Sequence, residues 1–142
     1  MQAALTAGEL ERRLAAEFPE AFHPDSGLAI LAARHRTARV RLAPAATATR
    51  PGGTISGPTL MMLADVAMYV AVLASIGWVP LAVTTNLNIN FLRKGQPGKD
   101  VLAAARLLKL GKRLAVGEVN LLSGTSPDPI AHVTSTYSIP NQ

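Results

Sequence analysis

Residues 58–75 decide the fold, and they read PTLMMLADVAMYVAVLAS. The Ser-Gly-Pro sequence at 56–58 predicts a helix start, because proline is tolerated at the first helical position, where its missing N–H would be unpaired anyway. Gly77 predicts the helix end. Apart from Asp65 the helix is apolar on every side, and such a helix is buried in a protein core or in a membrane.

The membrane alternative follows from length, because residues 58–83 are long enough to span a bilayer. Asp65 in the first half, Pro80 and the strands that follow argue against a span. A span would also leave fewer than 60 residues after it for a separate soluble domain. We therefore expect the core helix of a protein that does not enter the membrane.

The composition predicts a packed globule. Hydrophobic residues make up 49% of the 142 residues and charged residues 16%, the opposite of the balance found in disordered chains. The absence of cysteine excludes disulfides, thiolate zinc sites and a cysteine nucleophile. Three scattered histidines give no metal-ligand motif, so we expect no metal. The N-terminal sequence carries acidic residues early and lacks a signal-peptide apolar run, so we expect a cytoplasmic protein.

The net charge of +5 does not predict nucleic-acid binding. The basic residues lie at or before Arg50 and at or after Arg93, no run of them exceeds two, and none is interleaved with aromatic residues. This distribution favours a modest basic patch for an anionic small molecule.

Outward from the central helix, the pattern predicts a short helix and a series of strands. Thr6 and Glu9 form a capping box at the start of the short helix, and Pro19 ends it. No helix separates the later strands, so the class is α+β, with a curved antiparallel sheet around the long helix. The predicted elements are the helix 6–18 and the strands 28–34, 36–43, 81–92, 100–110, 113–123 and 130–139.

Strict alternation along the strand 81–92 predicts which side chains share a face. One face then carries the apolar residues together with Thr85. The other face carries Thr84, Asn86, Asn88 and Asn90.

Asp65 is the residue that most needs an explanation. A carboxylate among apolar neighbours on a buried helix pays heavily for desolvation unless it is paired or takes part in chemistry. It could pair with a basic residue such as Arg93, face a solvent gap, or belong to an active site.

Four motifs resemble one known family. Residues 53–65, GTISGPTLMMLAD, resemble the G-x-x-H-G-G-x-x-x-x-L-A-D signature of hotdog-fold acyl-CoA thioesterases of the phenylacetate-pathway (PaaI-like) type. Residues 84–93 resemble the T-x-x-L-x-I-x-F-L-R-P strand of that family, 103–116 its next hairpin, and 131–137 its A-x-x-T-x-T-Y last strand. The four motifs occur in the family's order.

The resemblance implies a hotdog fold and acyl-CoA thioester hydrolysis without a cofactor, since CoA belongs to the substrate. It implies a single domain over 1–142, with an N-terminal helix and turn at 1–27 and the hotdog core at 28–139. It also implies homodimers, usually paired into homotetramers, with active sites at the dimer interface.

The resemblance assigns three catalytic roles. Asp65 matches the acid that acts as general base on water or as nucleophile. Gly57 matches the glycine whose N–H polarises the thioester carbonyl, and Thr84 matches the hydroxyl that orients water. Three residues depart from the family pattern: Arg50 stands where many members have Asn, Ser56 replaces His, and Pro58 replaces the second Gly.

Other residues are predicted to bind the substrate, each with a structural alternative. Met61 and Met62 suit an acyl pocket but also a plain core, and Ser56 suits the site or a helix cap. Arg50 is a further candidate contact. The candidates for the CoA phosphates, which could equally be solvated turn charges, are Arg93, Lys94, Lys112 and Arg113.

Two rival functions follow from the departures from the family pattern. The chain could be a non-catalytic hotdog protein that binds acyl-CoA, or a structural oligomer in which Asp65 is a buried ion pair. An assay of thioester hydrolysis separates the enzyme from both rivals.

Overall fold

The computed structural model describes residues 1–44, 54–96 and 98–141. Along these residues lie two helices and six strands whose bounds confirm the predicted elements to within a few residues. They are α1 Ala7–Glu17, β1 Leu28–Arg34, β2 Thr37–Leu42, α2 Gly57–Ile76, β3 Val83–Phe91, β4 Val101–Leu110, β5 Leu114–Ser123 and β6 Pro129–Ser138.

The six strands form one antiparallel sheet in the order β1-β2-β4-β5-β6-β3. The long helix α2 packs against one face of that sheet, and its side chains make the centre of the core with the inward residues of the strands. This is the α+β class that the order of helices and strands predicts, and the hotdog fold that the family resemblance implies.

Helix α2 is the core helix of this globule. In the described part of the chain it is the one helix long and apolar enough to cross a membrane. Of its most apolar stretch of 18 residues, 61% is buried inside the protein. Leu63, Met68 and Leu73 have no solvent-exposed surface. The apolar side chains that would allow α2 to cross a membrane instead form the core beneath the sheet.

A β-bulge in β3 corrects the predicted faces of that strand. Thr84 pairs with Tyr137 of β6, but the next pair is Asn86 with Thr136, so Thr85 is an extra residue. The extra residue reverses the alternation. Thr84 therefore lies on the helix-facing side of the sheet with Leu87 and Ile89. Strict alternation had placed it with the asparagines, and that prediction is wrong.

The two edges of the sheet are treated differently. At the β1 edge, Glu11 of α1 accepts a hydrogen bond from the Ile30 N–H, with 2.7 Å between Oε1 and N. At the other edge, β3 pairs with β6 alone among the described residues, so its outer N–H and C=O groups are open. An open strand edge is a template for pairing with another chain.

Candidate active site

Asp65 lies in the third turn of α2 and receives hydrogen bonds from two strands. Thr84 Oγ1 donates to Asp65 Oδ1, and Tyr137 Oη donates to the same oxygen at 3.0 Å and to the Asp65 backbone carbonyl at 3.0 Å. In the described residues Oδ2 accepts no hydrogen bond and the carboxylate makes no ion pair. The arrangement therefore holds the carboxylate by one oxygen and leaves the other available for chemistry.

Tyr137 is the site residue that the sequence analysis missed. Its side chain is 2% exposed, and burial raises the pKa of the phenol above its ordinary value of 10.0, with the nearby Asp65 charge acting in the same direction. The hydroxyl thus stays protonated and can donate to Asp65. The T-x-T-Y motif contained it, but only the pairing of Tyr137 with Thr84 reveals the role.

The N-terminus of α2 offers one unused backbone donor. The Ser56 hydroxyl caps the helix, accepting from the Thr59 N–H at 3.3 Å, and the Leu60 N–H donates to the Ser56 carbonyl at 3.2 Å. Pro58 has no N–H. Among the described residues, the Gly57 N–H is therefore the donor of this first turn that has no acceptor, and it lies at the positive end of the helix dipole.

Asp65 and Gly57 do not meet within one subunit. They are eight residues apart on a straight helix, which separates them by about 12 Å along its axis. Reacting groups must approach to about 3–3.5 Å. One chain alone therefore cannot present the carboxylate and the Gly57 N–H to the same carbonyl.

The predicted phosphate-binding residues also lie apart. Arg93 follows β3 at its Phe91 end and donates to the Pro129 carbonyl, so it does not pair with Asp65. Lys112 and Arg113 lie in the β4–β5 turn at the opposite end of the sheet, where they line a cavity of about 430 Å³. All four cations, Lys94 included, are exposed. Arg50 lies outside the described residues.

Met61 and Met62, which were predicted to bind the acyl group, lie in different surroundings. Met61 and Met62 are 40% and 39% exposed, so neither is plain core. Met62 lines a cavity of about 490 Å³ that reaches from Asp65 to α1, and Met61 does not.

The comparisons with known proteins identify the family of this chain. Residues 52–129 match the family model described as the thioesterase superfamily. A solved structure of a candidate thioesterase from Silicibacter sp. TM1040 is 42% identical, with 99% of this chain and 96% of that chain covered and a TM-score of 0.89. No curated protein matches the sequence.

Two further solved structures are similar over most of their length. Zebra fish thioesterase superfamily member 2 is 25% identical, with 96% of this chain and 99% of that chain covered and a TM-score of 0.81. A mutant of the phenylacetic acid degradation protein PaaI from Thermus thermophilus is 27% identical, with 87% of this chain and 98% of that chain covered and a TM-score of 0.71.

The Tyr137 hydrogen bonds can be tested against those of a second buried tyrosine. Tyr137→Phe removes donation to a carboxylate, and bonds to charged groups are worth about 1.5–3 kcal/mol. Tyr69→Phe is the matched control, because the acceptor of Tyr69 Oη within the described chain is the neutral Pro80 carbonyl, at 2.8 Å. We expect urea unfolding to show a larger loss of stability for Tyr137→Phe. Equal losses of stability in the two variants would mean that the hydrogen bond to the Asp65 carboxylate stabilises the fold no more than the bond to a neutral carbonyl.

Proposed function

The chain belongs to the thioesterase superfamily, and from that premise we propose that it hydrolyses an acyl-CoA thioester to the free acid and CoA. The observation that carries the proposal is the Asp65 carboxylate, held through Oδ1 by Thr84 and Tyr137 with Oδ2 available. Membership of the narrower phenylacetate-pathway group is part of the proposal, supported by the four motifs and by the likeness to PaaI at 27% identity.

In the proposed reaction Asp65 Oδ2 takes a proton from water while the water oxygen attacks the thioester carbonyl carbon. The carbonyl oxygen becomes an oxyanion, and a backbone N–H at a helix N-terminus stabilises such a charge. Collapse of the intermediate breaks the C–S bond, and the CoA thiolate takes up the proton. Attack by the carboxylate itself, followed by hydrolysis of the anhydride, uses the same groups.

We propose that the Gly57 N–H is supplied by a second copy of the chain. Within one subunit β3 runs from Thr84, beside Asp65, to Phe91, whose Cζ would lie 3.1 Å from a Cβ on Gly57. A two-fold antiparallel pairing of the open β3 edges sets the Thr84 end of each strand beside the Phe91 end of the other. Asp65 then lies near Gly57 of the partner subunit.

The exposed apolar side chains support this pairing. Several large apolar residues are exposed along β3, next to it and on the first turns of α2, where a partner strand and helix would cover them. They are Met61, Met62, Leu81, Val83, Phe91 and Leu92. A homodimer is thus the smallest unit that completes the site, and dimers could pair further into a tetramer.

The same pairing brings the phosphate candidates together. Val83 pairs with Ser138, which pairs with Leu114, so Lys112 and Arg113 lie at the Thr84 end of β3. Arg93 and Lys94 follow the Phe91 end and so arrive at that place from the partner subunit. We propose that the two pairs of cations meet the CoA phosphates there.

The alternative function is acyl-CoA binding without hydrolysis. The observation that favours it is the N-terminus of α2, where the Ser56 hydroxyl is occupied as a cap and Pro58 carries no N–H. Among the described residues, the Gly57 N–H is then the one backbone donor of this turn without an acceptor. Tight binding of an acyl-CoA without release of free CoA would select this alternative.

Asp65→Asn tests the chemistry. The amide oxygen can still accept from Thr84 and Tyr137, but the side chain can neither take a proton from water nor attack. We expect kcat to fall by about 10²–10⁴-fold, KM to change less, and stability to hold or rise because a partly buried charge is removed. Asp128→Asn, an exposed turn carboxylate, is the control. Near-normal kcat in Asp65→Asn would assign the base elsewhere.

Gly57→Pro tests the composite site, because proline removes the N–H at a helix position where proline is favoured. Gly57→Ala is its control, since it places a Cβ against Phe91 and keeps the N–H. We expect Gly57→Pro to lose about 10²–10³-fold in kcat and Gly57→Ala far less. Equal losses in the two variants would contradict a role for the N–H.

Mixed dimers then separate a shared site from a site within one chain. A dimer of one Asp65→Asn and one Gly57→Pro subunit holds one intact site if the partner supplies Gly57. Random pairing of equal amounts should return about one quarter of wild-type activity. No recovery in demonstrated mixed dimers, or a monomeric wild type by light scattering, would contradict the shared site.

Salt tests the phosphate contacts. Exposed charge attraction is screened beyond about 8–10 Å near physiological ionic strength. We expect KM for an acyl-CoA to rise with salt while kcat changes little, and this rise to be smaller in Arg113→Gln. A KM that does not respond to salt would assign these cations to the solvated surface.

A further inference from the structure

We propose that the cavity between Asp65 and α1 holds the acyl group of the substrate, and that it selects uncharged apolar acyl groups over acetyl and over acyl groups that carry a carboxylate. This inference rests on the proposed thioester hydrolysis. It adds the site and chemical class of the acyl group.

The cavity has the size and position that an acyl site needs. Its volume is about 490 Å³, inside the range of about 300–1,000 Å³ typical of small-molecule sites. Asp65, Thr84 and Tyr137 line one part, and further residues of α2, residues of α1 and the segment before β3 line the rest. A thioester at Asp65 can therefore extend its acyl group into the cavity, and an acetyl group would leave most of it unfilled.

The walls concentrate the aromatic residues of the chain. Only six aromatic residues occur in the sequence, and four of them line this cavity: Phe18, Tyr69, Trp78 and Tyr137. Phe18 meets Tyr69 edge-on with the ring centroids 6.4 Å apart, and Tyr69 stacks on Tyr137 at 6.1 Å. These contacts form a continuous apolar wall from α1 to the residue that holds Asp65.

Two contacts hold the part of the cavity wall that lies away from Asp65. Tyr69 Oη donates to the Pro80 carbonyl at 2.8 Å, which ties α2 to the segment before β3. Arg13 of α1 lies over the Trp78 ring, 5.0 Å from its centroid. Helix α1 thus acts through this segment as a wall of the site as well as the cover of the β1 edge.

The charges on the cavity wall are both negative. Glu17 and Asp65 are the charged residues among its lining, and Glu17 makes no ion pair in the described part of the chain. A carboxylate at the end of an acyl group would therefore meet a like charge on the wall, while Arg13, which stacks on Trp78, is not among the lining residues. Glu17 is exposed, so the penalty is modest.

The binding test uses Trp78, which is the chain's single tryptophan and lines the cavity. Full-length Asp65→Asn protein keeps the substrate intact during the measurement. We expect hexanoyl-CoA to change the tryptophan fluorescence at concentrations where CoA alone and acetyl-CoA do not. An equal change with CoA alone, or no change with bound hexanoyl-CoA, would overturn the site.

The selectivity test compares kcat/KM for three acyl-CoAs on the wild-type protein. We expect hexanoyl-CoA to exceed acetyl-CoA by about 10- to 100-fold, because the extra methylenes are buried. Glutaryl-CoA should be a poor substrate, and Glu17→Gln should raise its kcat/KM about two- to fivefold relative to the kcat/KM of hexanoyl-CoA in the same variant. Glu20→Gln, an exposed carboxylate outside the cavity lining, should change neither. Equal effects of both variants, or of Glu17→Gln on all substrates, would overturn the role of Glu17.

The two proposals fail in different ways. Selective fluorescence changes without turnover of any acyl-CoA would overturn the hydrolase function and keep the acyl site. Turnover of hexanoyl-CoA without a Trp78 signal would keep the function and overturn the site.

Discussion

The carboxylate of Asp65 sets the constraint on which this structure depends. It lies on a helix that the sheet must bury, and a partly buried carboxylate is costly unless hydrogen bonds compensate it. No cation of the described chain pairs with it. Instead, two neutral hydroxyls on adjacent strands donate hydrogen bonds to it. The bulge at Thr85 is what lets β3 contribute one of them, because it turns Thr84 toward the helix. The bulge in β3 thus supplies a hydrogen bond that the partly buried Asp65 carboxylate requires.

The sequence predicted the features that local chemistry decides. The capping box at Thr6, the Ser-Gly-Pro start of α2 and Gly77 after it are signals within a few residues of the boundaries they mark. The faces of β3 could not be predicted, because alternation assumes an unbroken ladder and a bulge depends on the partner strand. For the same reason the sequence places Tyr137 in a strand motif without indicating its role. Its contact with Asp65 joins residues 72 positions apart.

The two sheet edges link the fold to the proposed assembly. Helix α1 covers one edge, where Glu11 accepts the Ile30 N–H that no strand receives. The open β3 edge is the one whose two ends carry the two halves of the proposed site, Asp65 and Gly57. A helix that rises about 1.5 Å per residue keeps those halves apart in one chain, and the proposed two-fold pairing would bring them together twice. The geometry that prevents a monomer from presenting both groups would therefore give the proposed dimer two sites.

The departures at the start of α2 can be understood through its N–H groups. The first turn of any helix leaves N–H groups without intrahelical partners. Here Ser56 takes the Thr59 N–H and Pro58 has none to offer, so the Gly57 N–H is left for a ligand. A histidine in place of Ser56 or a glycine in place of Pro58 would add a further polar group beside the carbonyl. In the proposed reaction, with Ser56 and Pro58 in place, stabilisation of the oxyanion would fall on the Gly57 N–H and the helix dipole, and activation of water would fall on the Asp65 carboxylate.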